Sequence, residues 1–226
     1  MEKIISALKE TLMDLSKYDL VLPIGERCHM YYALKKFCPE IHLHIFDSLG
    51  GISLKIAYRA LRTKFKDFLP KENLEVINNG DGNDYFVKDK QTGVRCSHLF
   101  KTSLAPAESL DRYYPILERL VAGTIREIGN AKTMLFCHAT NAFTYKKWQI
   151  RRYVRKFRRL FPDKKIDFVF FVYNEKQQNY EQIYNKKGIV IIEITKPEIA
   201  PDDINNMACW SNESVFHVAV KSFLDA

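Results

Sequence analysis

The chain has 226 residues, 46% of them hydrophobic, and a formal net charge of +8 at pH 7. That length and apolar content suit one domain with a sizeable buried core and argue against a disordered chain. No window approaches the roughly 18–20 apolar residues that span a bilayer. Cys28, Cys38, Cys96, Cys137 and Cys209 form an odd, irregularly spaced set, which fits neither a disulfide framework nor paired zinc ligands, so free thiols are expected.

In chain order, MEKIISALKETLMDLSKYD carries Ile4, Ile5, Leu8, Leu12 and Leu15 at helical spacing. Lys and Glu interrupt that run, so it lacks the apolar centre of a signal peptide and a cytoplasmic location is expected. YDLVLPIG (18–25) reads as a buried strand ending at Gly25, followed by a short helix, HMYYALKKF. IHLHIF (41–46) suggests a short strand, and GISLKIAYRALRTKFKDFLP (51–70) an amphipathic helix stopped by Pro70. Between 74 and 100, the turn signals NNGDGN and DKQTG separate three short β runs, a hairpin or small meander.

The rhythm then changes to helix 109–128, strand KTMLFCHA, a basic helix, strand IDFVFFVYN, helix 175–187, strand GIVIIEIT and the helix SNESVFHVAVKSFL. Such alternation predicts parallel strands joined by right-handed crossovers. The expected fold is a single three-layer α/β domain over 1–226, with a mostly parallel central sheet and a β-hairpin insertion at about 74–97.

Charge is concentrated in one place. Segment 146–165 holds ten Lys or Arg and one Asp, a net of +9 that leaves −1 for everything else. Ile150, Tyr153, Val154, Phe157, Leu160 and Phe161 form an apolar stripe there, opposite Arg151, Arg152, Arg155, Arg158 and Arg159. Those arginines are candidates for binding an anionic surface. The aromatics fall mainly on the apolar stripe, which argues against a platform for nucleic-acid bases.

In open α/β sheets ligands sit beyond the carboxyl ends of the strands. Three such ends are GERCH, CHATNAF and YNEKQ; if their strands are parallel neighbours, Cys28, His138, Asn141 and Asn174 share one edge. Cys28 follows a strand and opens a helix, where unsatisfied backbone N–H groups and Arg27 favour a thiolate and Glu26 opposes it. The alternative is a structural thiol filling space between strand and helix. His98 and His138 both end strands, and either is a candidate base. His42, His44 and Asp47 loosely suggest a metal-ligand cluster, but no further Cys or His pair supports one. Phosphate-loop, dinucleotide-loop and serine-elbow motifs do not occur.

The order of LVLPIGERCHMYYALKKF, HIFDSLGG, GVRCSHLF and YYPILERLVAGTIREIGNAKTMLFCHA resembles a bacterial family grouped as papain-like cysteine peptidases, DUF1796. The similarity covers about residues 18–175. The family's GxxC falls on Gly25 and Cys28, its Phe-Asp on Phe46 and Asp47, and its His-x-Phe on His98 and Phe100; Ile45, Ser48 and Leu99 depart from its pattern. The resemblance implies an α+β papain-like arrangement as the alternative fold, with Cys28 as nucleophile and His98 as base. Asp47 is added here as the orienting acid.

The resulting expectation is a cysteine-nucleophile hydrolase or acyl-transfer enzyme acting on a peptide, acyl or glycan-linked substrate, without a metal or organic cofactor. One rival is a transferase or accessory protein of cell-surface polysaccharide assembly that binds an anionic sugar donor. Another is a non-enzymatic adaptor for anionic or membrane surfaces.

Overall fold

A computed structural model describes residues 15–25, 34, 41–79, 83–96, 99–141, 146–174 and 180–195. The mixed α/β chain places its described strands in two sheets. The larger contains β1 (Leu20–Pro23), β6 (Thr133–Asn141), β7 (Lys165–Asn174), β9 (Ile189–Thr195) and β8 (Tyr180–Asn185), in that spatial order. β1, β6, β7 and β9 are parallel neighbours, and β8 pairs antiparallel with β9. The smaller sheet is antiparallel: β2 (Leu49–Gly50), β5 (Arg95–Cys96), β4 (Tyr85–Asp89) and β3 (Leu74–Asn79). The predicted hairpin at 74–97 is therefore part of a sheet that also recruits the segment after Asp47.

Central strands of a parallel sheet are covered on both faces and so become apolar without alternation. β7 follows this rule, with Phe168, Val169, Phe170 and Phe171 all fully buried. On one face Leu20, Leu22, Met134, Phe136, Phe168 and Phe170 join a continuous core with the described helices and the small sheet. Val21, Leu135, Cys137, Ala139, Val169 and Phe171 are buried on the other.

Three helices are described: α1 (Leu54–Arg62), α2 (Pro106–Asn130) and α3 (Lys147–Leu160). In α3, Ile150, Val154 and Phe157 are buried at i, i+4 and i+7. The Phe157 ring meets Tyr58 of α1, Phe136 of β6 and Phe168 of β7 at centroid distances of 5.6, 5.4 and 5.8 Å. α2 begins at Pro106, whose missing N–H costs nothing at a helix start. At its other end Lys164 Nζ donates to the carbonyls of Gly129 and Ala131, groups that have no intrahelical donor.

Three expectations are corrected. Residues 41–46 form no strand; the chain enters a 3-10 turn at Ile45–Ser48, where His44 N donates to Asp47 Oδ2 at 2.7 Å and closes the turn locally. The helix expected over 51–70 stops at Arg62. Beyond it Lys64, Phe65, Asp67 and Leu69 adopt positive φ, reversing the chain so that Phe65 and Leu69 are buried. Phe65 then lies 5.5 Å from Phe46 between ring centroids. Within 175–187, residues 180–185 form β8 rather than helix. Lys187 and Gly188, both at positive φ, make a two-residue turn whose twist matches the flanking strands. Of the helix expected after Cys28 only Leu34 is described, helical and fully buried, and of the N-terminal run only its end, where Leu15–Lys17 form a 3-10 turn; the helix expected at 211–224 lies outside the described residues.

Candidate active site

The carboxyl ends of β1, β6 and β7 stand side by side, as the three strand-end motifs predict. Pro23 pairs with Cys137, Asn141 with Tyr173, and Asn174 with Thr195. Gly25 is required where β1 leaves the sheet, because a Cβ there would lie 2.8 Å from the backbone nitrogen of Ala139. Ile24 N donates to Cys137 O at 2.7 Å and continues the β1–β6 pairing.

His138 does not end its strand as expected: it lies within β6, three residues before Asn141 and paired with Phe170, on the core side. Its ring is fully buried, edge-on to Phe170, and Nδ1 lies 2.9 Å from Ile24 O. A carbonyl only accepts, so Nδ1 carries the proton and Nε2 holds a lone pair. Burial lowers the imidazole pKa to about 4, against the opposing effect of the Ile24 bond. The ring is neutral at physiological pH and ties β6 to the end of β1.

Asp47 lies in the Ile45–Ser48 turn and is 3% exposed. Thr124 fixes this turn to α2: its hydroxyl donates to Leu120 O at 2.8 Å and accepts from Ile45 N at 3.1 Å. Asp47 Oδ2 takes the His44 N–H, whereas Oδ1 is buried without a hydrogen-bond partner among the described residues. Burial pushes the carboxyl pKa well above the usual range, and the His44 N–H opposes this only in part. A buried acceptor without a donor is costly.

The β2–β5 ladder relates Asp47 to the histidine motif. Leu49 pairs with Cys96 and Gly50 with Arg95, antiparallel. In the sequence Asp47 stands two residues before Leu49, and His98 two residues after Cys96. Cys28 and His98 themselves lie outside the described residues, as do the side chains of Asn141 and Asn174.

Of the five arginines predicted on the basic face, Arg151, Arg152, Arg155 and Arg159 are exposed. Arg158 turns back into the fold. Its Nη2 donates to Ile166 O at 2.9 Å and Lys187 O at 2.8 Å, and it lies 3.8 Å from Asp167. It secures the turn before β9.

The suggested grouping of His42, His44 and Asp47 is replaced by one around Glu127 of α2, which sequence reasoning missed. His42 Nδ1 and His44 Nε2 stand 3.5 and 3.6 Å from its two carboxylate oxygens. No local signal announces a partner some 80 residues away. Burial lowers the His44 pKa, against the pull of Glu127. Among the described residues no group of three or more His, Cys, Asp or Glu side chains could hold a metal ion. No described helix is long and apolar enough to cross a membrane.

No family model matches the chain, and neither a curated protein nor a solved structure matches it.

Proposed function

We propose that the chain is a thiol-dependent hydrolase or acyl-transfer enzyme in which Cys28 is the nucleophile, His98 the base and Asp47 the group that orients it. The observation that carries this reading is Asp47 Oδ1, buried without a partner among the described residues, two residues before a ladder whose other strand ends at Cys96, two positions short of His98 in the sequence. An imidazole N–H directed at Oδ1 would satisfy it and fix the ring's tautomer. His138 suits the base role less well, because an imidazole whose pKa is about 4 resists forming the imidazolium that a thiolate needs beside it.

In the proposed cycle His98 takes the thiol proton as Cys28 Sγ attacks the substrate carbonyl. Collapse of the tetrahedral adduct breaks the bond to the leaving group, which departs with that proton. Water or another acceptor, deprotonated by His98, then cleaves the thioester and restores the thiol. The resemblance to papain-like peptidases and the place of Cys28 in the sequence, shortly after the residues of β1, support the assignment.

p-Nitrophenyl acetate is a suitable probe. The expected result is a burst of nitrophenolate with an acetyl adduct on the Cys28 peptide, abolished in Cys28→Ser and slowed ~100-fold or more in His98→Ala. Acetylation spread equally over the other cysteines would contradict the assignment.

A second reading concerns where the enzyme works. α3 contains no acidic residue, and its exposed side carries Trp148 at 57% exposure in line with Arg152, Arg155 and Arg159. A cationic face with an indole at one end suits an anionic lipid surface. Co-sedimentation with phosphatidylserine vesicles, but not phosphatidylcholine vesicles, is expected and should fall in Arg152→Gln/Arg159→Gln. Equal binding to both lipids would contradict it.

A further inference from the structure

A cavity of about 280 Å³ opens between α1, the reversed loop after it and the β4–β5 turn. Lys55 and Arg59, one helical turn apart on α1, line it together with Lys66 from the loop. Like charges at i and i+4 on a helix repel. Here a third cation joins them, and none of the three has a carboxylate oxygen within 4 Å among the described residues. Asp67 borders the same cavity without pairing with any of them.

The remaining wall is suited to a small organic body. Ile56, Ala60 and Phe68 supply apolar surface. Ser53 Oγ accepts the Ile56 N–H at 3.3 Å, which leaves its hydroxyl hydrogen to donate, and the Gln91 side chain contributes an exposed amide. The volume lies at the lower edge of the ~300–1,000 Å³ typical of small-molecule sites, less than a dinucleotide needs. The wall that carries Lys66 is the segment where Lys64, Phe65, Asp67 and Leu69 hold left-handed backbone. That conformation is unfavourable at every non-glycine residue.

From this cavity we infer a binding site for a small phosphomonoester, of the size of a sugar phosphate. A phosphate dianion answers three cations that have no carboxylate partner among the described residues better than a single carboxylate does, and the apolar and hydroxyl-bearing wall receives the attached body. The inference is independent of the thiol chemistry.

Calorimetric titration of the full-length protein at low salt, with glucose 6-phosphate, inorganic phosphate and glucose as probes, tests it. Glucose 6-phosphate should bind saturably and more tightly than inorganic phosphate, and glucose should not bind. The Lys55→Gln/Lys66→Gln variant changes two exposed side chains and should keep the wild-type melting temperature while losing at least ~10-fold in affinity. Arg59→Gln should lose at least as much, and Arg152→Gln/Arg159→Gln on α3 should bind as wild type does. The proposal is overturned if glucose 6-phosphate gives no saturable binding, or if inorganic phosphate binds equally well. It is also overturned if the double lysine variant retains full affinity, or if the loss follows the α3 arginines instead.

Discussion

The parallel sheet and the segment from His44 to Leu69 share one hydrophobic core but use their residues differently. In the sheet, consecutive phenylalanines of β7 disappear into both faces, and α3 closes one of them through Phe157. Its polar groups largely hold strands together: His138 ties β6 to Ile24, and Arg158 caps the carbonyls around β9. From 44 to 69 the chain buries an acid with an orphan oxygen, places His44 against Glu127 and turns through four left-handed non-glycine residues. The first region is assembled for stability. The second keeps a buried acceptor without a donor among the described residues and left-handed non-glycine backbone, costly features of a kind that concentrates where function resides.

The largest expected effect breaks the first region. Phe157→Ala removes a fully buried ring at the junction of α1, α3, β6 and β7. It should cost ~3–5 kcal/mol and lower the melting temperature by roughly 6–20 °C. A fall of only a few degrees would show that α3 is not the lid of this face.

The next effect appears on acidification. The folded pKa of His138 lies below its unfolded value, so the native state resists a proton that the unfolded chain accepts. Its stabilising contribution is complete above pH ~6.5, falls as the pH drops, and levels off below about 4. The full window is worth up to ~3 kcal/mol. His44, also shifted down, acts in the same direction. Chemical denaturation between pH 7 and 4 should give a shallower loss in His138→Asn than in wild type. Parallel curves would mean that His138 is not the buried neutral group described.

The smallest effect on stability is expected in the second region. For an acid whose folded pKa is raised, ionisation of the unfolded chain weakens the fold as pH rises above ~4. Asp47→Asn removes that penalty and keeps an oxygen for the His44 N–H, but it buries an amide NH2 where Oδ1 stood, and the two effects oppose. Stability at pH 7 should change by less than ~1 kcal/mol, while nitrophenyl acetate turnover falls roughly 10-fold or more. A large loss of stability with unchanged turnover would reduce Asp47 to a structural acid.

The two regions also differ in how readily sequence reveals them. β1, β6 and β7 are legible as apolar runs, and α2 and α3 as amphipathic periods, because burial acts residue by residue. Their adjacency follows from alternation and sets the carboxyl ends of β1, β6 and β7 side by side. β8 was hidden by helix-favouring Glu181, Gln182 and Lys186, which are outweighed by a Lys187-Gly188 turn and pairing with β9. The loop at 64–69 was hidden because its left-handed residues are not glycines; burial of Phe65 and Leu69 decides its path. In the site, Asp47 was identifiable as a residue. Its orphan oxygen and the His44–Glu127 contact depend on elements distant in sequence, which no local pattern encodes.

The most direct measurement of the central claim is the rate of iodoacetamide modification of the Cys28 peptide between pH 5.5 and 9.5, in wild type and His98→Ala. The wild-type rate should rise with an apparent pKa at least one unit below the ~8.5 of an ordinary thiol, and should return to ~8.5 in His98→Ala. A wild-type profile already centred at 8.5 and unchanged by the substitution would contradict a resting thiolate held by His98.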